Sequence, residues 1–152
     1  MMRLALGIAR RAGRAGEVPI GALVVVEREI VARSGNRVER DRDPLAHAEA
    51  IAIRRATRKL GQKWLYHATL YTTLEPCPMC AGAILLARVG DVVFGAADPK
   101  AGAFGSVTDF VRSGRFNHHP TVTSGVLATD SAALLSSFFR DLRTGRSRRR
   151  LC

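Results

Sequence analysis

Two short stretches, Asp43-Pro44-Leu45-Ala46-His47-Ala48-Glu49 and Glu75-Pro76-Cys77-Pro78-Met79-Cys80, decide how this sequence folds. In each, proline precedes or opens a run that suits a helix, over residues 46–60 and 78–87. Cys77 and Cys80 are i and i+3 and share one side of a helical turn. His47 and Glu49 are i and i+2, so they converge only within a first turn. We therefore predict that two helix N-termini, with their partial positive charge, face one point.

The residue types at that point predict a metal centre. One imidazole and two thiolates are suitable zinc ligands, so His47, Cys77 and Cys80 are predicted to bind one zinc ion. Three protein ligands leave a fourth position for water, which is the catalytic pattern, and the metal lowers the pKa of that water. The other histidines do not lie at metal-site spacing. Because Glu49 is not needed as a ligand, we assign it to proton transfer.

Neither half of this pattern is specific alone. A lone Cys-x-x-Cys is more often structural or redox-active, and a lone His-x-Glu is close to chance. Together, in this order and with proline before the first cysteine, they match the signature of zinc-dependent nucleobase deaminases. Glu49 would then take a proton from water and deliver it to the ring nitrogen and the leaving amine. A structural zinc module and a redox dithiol remain alternatives.

The segments around these stretches alternate between strand and helix patterns. We predict strands over residues 21–27, 29–34, 68–74, 92–96 and 121–126. We predict helices near residues 2–14, 46–60 and 78–87, a helical turn at 109–112, and a last helix over 131–144 capped by Asp130. Strands that alternate with helices after a hairpin indicate an α/β fold with a mixed five-stranded central sheet and helices on both faces, a three-layer α/β/α arrangement.

The first fourteen residues carry four arginines and no acid, which resembles a transit peptide. A folded amphipathic helix is the better interpretation, because Leu4, Ala5, Ile8, Ala12 and Ala15 fall on one side and the arginines on the other. No apolar run approaches the ~18 residues that a membrane span needs. The few cysteines and the absence of a visible secretion signal favour a reducing cytoplasm.

The charge of the chain predicts a polyanionic partner. The 24 Lys and Arg exceed the 13 Asp and Glu, for a net charge of +11. Neutralising phosphates releases counterions, which favours nucleic acid, although a basic surface also keeps a small protein in solution. The arginines crowd the C-terminus, at Arg140, Arg143, Arg146, Arg148, Arg149 and Arg150. We divide the chain into a deaminase domain over residues 1–144 and a basic tail over residues 145–152.

The sequence resembles the bacterial tRNA-specific adenosine deaminase family over nearly its whole length. Besides the two opening stretches, the resemblance rests on the following segments: Glu17-Val18-Pro19-Ile20-Gly21-Ala22, Gly35-Asn36-Arg37, Thr69-Leu70-Tyr71-Thr72-Thr73-Leu74, Val93-Phe94-Gly95-Ala96, Asp98-Pro99-Lys100-Ala101-Gly102, Asn117-His118 and Ala132-Ala133-Leu134-Leu135-Ser136-Ser137-Phe138-Phe139-Arg140. The metal motif is shared with cytidine and guanine deaminases, whereas the flanking segments are more specific to the tRNA enzymes.

The resemblance implies a cytidine deaminase-like fold, a homodimer, and conversion of adenosine to inosine at the wobble position of a tRNA anticodon. It implies that Asn36 hydrogen-bonds the flipped nucleoside and that Val18 and Leu74 wall the base. The segments containing Asp98, Lys100, Phe139 and Arg140 would contact neighbouring nucleotides. As buried aliphatics usually do, Val18 and Leu74 could instead belong to the core, and Asn36 could be a turn residue.

One residue departs from the family pattern, and two rival functions remain. Phe104 follows Ala103 where small residues are common in the family, which would alter a loop contact with RNA. The nearest rival is a deaminase of free guanine or cytosine, although a small neutral base does not need a cationic surface. The rival from another class is a non-catalytic, zinc-stapled RNA-binding module, which the open ligand position and Glu49 disfavour.

Overall fold

A central mixed sheet organises the computed structural model, which describes residues 1–145. Its strands are β1 (Gly21–Val26), β2 (Glu29–Gly35), β3 (Ala68–Leu74), β4 (Asp91–Ala96) and β5 (Thr121–Thr123). Their order is β2-β1-β3-β4-β5. β1 is antiparallel to both β2 and β3, whereas β3, β4 and β5 are parallel. The mixed five-stranded sheet predicted from the alternating pattern is confirmed.

Helices cover both faces of the sheet. They are α1 (Met2–Arg14), α2 (Val38–Asp41), α3 (Ala48–Leu60), α4 (Pro78–Leu86) and α5 (Ala128–Arg143). α1 and α5 pack on one face, and α3 packs on the other beside α4. Because side chains alternate along a strand, Ala22 and Val24 of β1 join the core under α3, whereas Leu23 and Val25 join the core under α1. The predicted α/β/α layering is therefore confirmed.

Several predicted boundaries are wrong for reasons that the hydrogen bonds and strand pairing show. The last helix begins at Ala128, with Asp130 in its first turn rather than at the cap. The last strand ends at Thr123 because its parallel pairing with β4 extends over three residues only. Residues 109–112 form turns, not a helix, with the Asp109 carboxylate accepting the Val111 and Arg112 backbone N–H groups. The short α2 has no apolar periodicity, so the sequence pattern missed it.

The N-terminal segment is a folded helix, as predicted, with its arginines exposed. Its buried face differs from the predicted one, because Met2, Leu6 and Ala9 are buried while Leu4 is 53% exposed. Within residues 1–145, no helix combines the length and the apolar character that crossing a membrane requires. The predicted tail contacts at Arg146, Arg148, Arg149 and Arg150 lie outside the described residues.

One edge of the sheet is formed by the carboxyl ends of β2, β3 and β4 and by the start of β1. Gly21 at the start of β1 pairs with Gly35 at the end of β2, and Leu74 at the end of β3 pairs with Ala96 at the end of β4. The chain leaves β2 towards α3, β3 towards α4, and β4 towards a long loop. In open α/β sheets, ligands bind outside the carboxyl ends of such strands. This edge is where the functional residues converge.

Candidate metal centre and its surroundings

His47, Cys77 and Cys80 meet at this edge of the sheet. The His47 Nδ1 lies 3.5 Å from the Cys77 Sγ and 3.6 Å from the Cys80 Sγ. The three ligand atoms all lie within 4.8 Å of one another, and among the described residues they form the one group of this kind. The structure thus brings together the three residues that the sequence pattern selected, and their donor set suits a metal ion.

The positions of these residues follow from two helix starts. His47 and Cys77 are the N-cap residues of α3 and α4, both with extended backbone, and Pro78 occupies the first turn of α4. Cys80 follows one turn later and is completely buried. Both helix N-termini therefore face the group, and their partial positive charge stabilises negative charge there. The predicted convergence within two first turns is observed.

The two thiols differ in acidity without a metal. A hydrogen bond from the Cys80 thiol, together with His47, lowers the pKa of Cys77 to about 4. The same hydrogen bond, together with burial, raises the pKa of Cys80 well above its ordinary value. The hydrogen bond with Cys77 also raises the pKa of His47. Cys77 is therefore a thiolate at neutral pH, the form that binds metal ions.

Glu49 lies in the first turn of α3, two residues after His47, and is 3% exposed. Its Oε2 is enclosed and has no hydrogen-bond partner among the described residues. Burial raises the pKa of Glu49 to about 7, against the opposing effect of hydrogen bonding from its own backbone. A buried carboxylate oxygen without a hydrogen-bond partner is costly in a purely structural role. A carboxyl with a pKa near neutrality is suited to exchanging protons with a bound molecule.

The residues predicted to wall a nucleoside lie around this group. The Asn36 side chain is buried, and its backbone N–H donates to the Ile20 carbonyl. The backbone N–H of the neighbouring Arg37 donates to the carbonyl of Ala46, the residue before His47. Val18 and Leu74 are half-buried at the same sheet edge rather than fully buried core residues. Asn36 and Leu74 therefore lie at the ends of β2 and β3, and Val18 precedes β1 at the same sheet edge. Their role in walling a nucleoside stays a prediction.

The residues predicted to touch neighbouring nucleotides fall into two groups. Asp98 and Lys100 lie in the loop after β4, and the exposed Lys100 is held there by its backbone N–H donating 2.9 Å to the Asp98 Oδ1. Phe139, 42% exposed, and Arg140, also exposed, lie on α5, across the sheet from α3 and α4. Within residues 1–145, neither side chain hydrogen-bonds to the metal-ligand group. Asp98 is joined to the metal-ligand segment by its backbone N–H, which donates to the Glu75 carboxylate two residues before Cys77. The RNA contacts of all four residues stay predictions.

Phe104, the residue that departs from the family pattern, points inward. It is 8% exposed and belongs to the core cluster under α3 and α4. Its backbone forms an isolated bridge with Asp109. The phenyl ring therefore fills space beneath the loop and does not enlarge the surface offered to RNA.

Sequence reasoning missed two buried carboxylates beside the site. Glu17 accepts hydrogen bonds from Asn36 Nδ2 at 3.2 Å and from the backbone N–H groups of Glu39 and Arg40. Glu75 accepts hydrogen bonds from the loop after β4. Both residues lie in segments that support the family resemblance, each one or two positions before a proline. The sequence signal that could have identified Glu17 and Glu75 is an acidic residue next to an apolar segment that is expected to be buried.

Comparison with known proteins matches this geometry. Residues 1–143 match the family of MafB19-like deaminases. The chain is 50% identical over 142 residues to a tRNA-specific adenosine deaminase of Bacillus subtilis, which covers 93% of this chain and 88% of that protein.

Solved structures agree with this match. One structure comes from work on A-to-I editing by tRNA:A34 deaminases at the wobble position; it is 48% identical with a TM-score of 0.85, over 88% of this chain and 97% of that one. A guanine deaminase from Nitrosomonas europaea is more distant, at 30% identity and a TM-score of 0.75, over 90% of this chain and 81% of that one.

Proposed function

Because the chain belongs to the MafB19-like deaminase family, we propose that it converts adenosine to inosine, by hydrolysis, at the wobble position of a tRNA anticodon. The observation that carries the chemistry is the convergence of His47, Cys77 and Cys80 on one point beside Glu49, whose buried Oε2 has no hydrogen-bond partner among the described residues. The observation that carries the substrate is the 50% identity to a tRNA-specific adenosine deaminase over 93% of the chain.

The metal that suits this donor set is zinc, one per subunit. One imidazole nitrogen and two thiolate sulfurs match zinc preferences, and three protein ligands leave a position for water. The buried, unpartnered Glu49 oxygen also fits such a centre, because it needs a polar partner. A zinc ion bound there would supply a water molecule with a lowered pKa.

Glu49 moves the protons of the reaction. Hydrolysis adds water at C6 of adenosine and forms a C–O bond there. The bond between C6 and the exocyclic amino nitrogen then breaks, and ammonia is released. The Glu49 carboxylate accepts a proton from the water and delivers it to the N1 ring nitrogen. The second proton of that water, now on the C6 hydroxyl, then passes through Glu49 to the amine, which leaves as ammonia. A group with a pKa near neutrality performs both transfers with a small energetic penalty.

The substrate contacts follow from the placement of the surrounding residues. Asn36 hydrogen-bonds the flipped nucleoside, and Val18 and Leu74 line the base. Asp98 and Lys100 contact the nucleotides beside it, and Phe139 and Arg140 bind a more distant part of the anticodon loop. The net charge of +11 supports a polyanionic substrate, because a free nucleobase has no phosphates that a cationic surface could bind.

The assembly and location belong to the same proposal. The enzyme functions as a homodimer in the cytoplasm, where its tRNA substrate is found. The domain proper spans residues 1–144, and residues 145–152 form a basic tail that adds to the attraction for RNA.

Incubation with separate candidate substrates tests this proposal. The purified protein is mixed with a synthetic anticodon stem-loop carrying adenosine at the wobble position, and in parallel with free adenosine, guanine and cytosine. Nucleosides are then analysed for inosine and the other deaminated products. We expect inosine from the stem-loop alone.

Two other results would separate the rivals, and one control accompanies them. Turnover of free guanine would favour the guanine deaminase function of the more distant relatives. RNA binding without any deamination would indicate a non-catalytic RNA-binding module. A stem-loop with guanosine at the wobble position is the matched control and should remain unchanged.

A further inference from the structure

Glu75 is a buried carboxylate with no part in the chemistry described above. It follows the end of β3 and precedes Cys77 by two residues, and it is 2% exposed. Its backbone N–H donates 2.8 Å to the Ala96 carbonyl at the end of β4. Glu75 therefore sits at the junction between the metal-ligand segment and the loop that leaves β4.

Both carboxylate oxygens of Glu75 accept hydrogen bonds from that loop. Oε2 accepts the Asp98 backbone N–H at 3.0 Å. Oε1 accepts the Phe104 backbone N–H at 2.9 Å and that of Ser106 at 3.1 Å, and the Ser106 hydroxyl donates to Oε2. Burial favours the neutral acid, but these hydrogen bonds outweigh it and lower the pKa of Glu75.

The loop closes tightly around this carboxylate. A Cβ on Gly102 would collide with the Glu75 carboxyl group and lie 2.6 Å from the Asp98 carbonyl oxygen. The Gly102 N–H donates 2.9 Å to that same carbonyl, and the Ala103 N–H donates 2.9 Å to the Pro76 carbonyl. One ionised side chain thus gathers backbone donors from both ends of residues 98–106.

The part of the loop held in this way is the part that faces outward. Between the anchored Asp98 and Phe104 lies the exposed Lys100, and beyond Ser106 lies Val107, 55% exposed. Asp98 Oδ1 is already occupied by the Lys100 and Ala101 N–H groups. Glu75 therefore holds the Asp98 backbone, and the Asp98 carboxylate in turn holds the backbone from which Lys100 projects.

We propose that Glu75 is a positioning residue that holds residues 98–107 in the shape that receives the nucleotides beside the target adenosine. This inference rests on the proposed function. Within the described chain Glu75 is not part of the metal-ligand group, because all of its side-chain hydrogen bonds go to the loop. Its loss should weaken RNA capture while leaving the chemical step intact.

A Glu75→Gln variant tests the inference. The amide keeps the shape of the side chain but places an NH2 donor against backbone N–H donors, so at least one charge-assisted hydrogen bond is lost. We expect the KM for the stem-loop to rise about tenfold and kcat to stay within about threefold. Zinc content should match that of the parent, and hydrogen exchange at the Asp98, Phe104 and Ser106 amides should accelerate.

A second variant protects the test against misfolding. Ser106→Ala removes only the hydroxyl donor of an exposed residue, so the fold is not at risk, and KM should rise by about threefold. Glu29→Gln, an exposed change at the start of β2, should leave KM, kcat and loop exchange unchanged.

Each result decides for or against the inference. Faster loop exchange with an unchanged KM would overturn it, as would loss of zinc or a fall in kcat at an unchanged KM. A parent protein without turnover would contradict the proposed function instead. Stem-loop binding by fluorescence anisotropy would then serve as the readout, and equal Kd values for the parent and Glu75→Gln would overturn the positioning role.

Discussion

The two sides of the site are built by different means. On the metal side, His47, Cys77 and Cys80 belong to the first turns of two helices, whose backbones are fixed by their own hydrogen bonds. On the loop side, residues 98–106 have no regular structure and depend on hydrogen bonds to one carboxylate, that of Glu75. The reacting groups are therefore held by secondary structure, whereas the groups offered to RNA are held by the Glu75 and Asp98 side chains and by a few backbone hydrogen bonds of the loop.

This difference predicts that the two sides fail separately. A change in a ligand removes metal and activity together, because the remaining residues cannot replace a zinc ligand. A change in the loop weakens capture of RNA but leaves the metal centre, because within the described residues no hydrogen bond from the loop goes to His47, Cys77 or Cys80. Substitutions on each side test whether this separation is real.

The largest effect is expected on the metal side. Cys80→Ala removes a fully buried sulfur from a three-residue ligand group, so zinc content should fall to near zero and turnover should disappear. Elemental analysis and stem-loop deamination measure both. Cys152→Ala, a cysteine change outside the described residues, is the control and should match the parent. Full zinc occupancy and activity in Cys80→Ala would remove Cys80 from the ligand set.

Glu49 should affect chemistry without affecting metal. Glu49→Gln keeps the volume of the side chain but cannot accept a proton, so single-turnover deamination should slow by ~10²–10⁴-fold. Zinc content and stem-loop affinity should remain those of the parent, since the proposed ligands are untouched. Glu39→Gln, an exposed change on α2, provides the comparison. A near-parental rate in Glu49→Gln would exclude an essential proton role.

The same difference explains how far the sequence could predict the molecule. The start of a helix depends on residues that are near in sequence, so Pro44 and Pro78 were sufficient to locate both metal-binding turns. Strand existence was also predicted correctly because runs rich in β-branched residues are short-range signals. The end of β5 was not, because its length is set by pairing with β4, a contact between distant segments.

The loop side was beyond local reasoning. Nothing near Glu75 indicates that its carboxylate will accept hydrogen bonds from residues 23 to 31 positions later. Similarly, Phe104 was interpreted as a surface change, whereas tertiary packing turns its ring into the core. Positions whose role depends on one long-range contact were missed or misjudged, and positions defined by a helix turn were found.

Gly102 tests the separation of the metal side and the loop side by a change in the loop itself. Gly102→Ala leaves Glu75 intact but introduces a Cβ that collides with its carboxyl group. Such overpacking costs about 1–3 kcal/mol, and we expect the loop to shift in order to relieve it. Because the shifted loop receives RNA less well, the KM for the stem-loop should rise about tenfold.

The control for this variant is the same change elsewhere. Gly7→Ala in α1 meets nothing closer than an arginine side-chain atom at 3.9 Å, so stability and KM should stay at the parental values or improve slightly. Zinc content should be equal in both variants. If Gly102→Ala lost zinc as well as affinity, the two sides of the site would be coupled more closely than we propose.

The smallest effect is expected from cations far from the reacting groups. Arg140 and Arg143 are exposed in the last turn of α5, and Arg58 and Lys59 are exposed in the last turn of α3, the end opposite His47. Both pairs interact equally well with a helix C-terminus, so double alanine variants change stability alike. If only the first pair contacts RNA phosphates, its removal should flatten the slope of log K against log salt by about 1.4, at roughly 0.7 per contact on single-stranded RNA. A salt titration of stem-loop binding compares the two double variants with the parent, while zinc content and single-turnover rate stay constant. Equal slopes for all three proteins would assign Arg140 and Arg143 to solvent, and the RNA surface would then be confined to the face that carries Lys100.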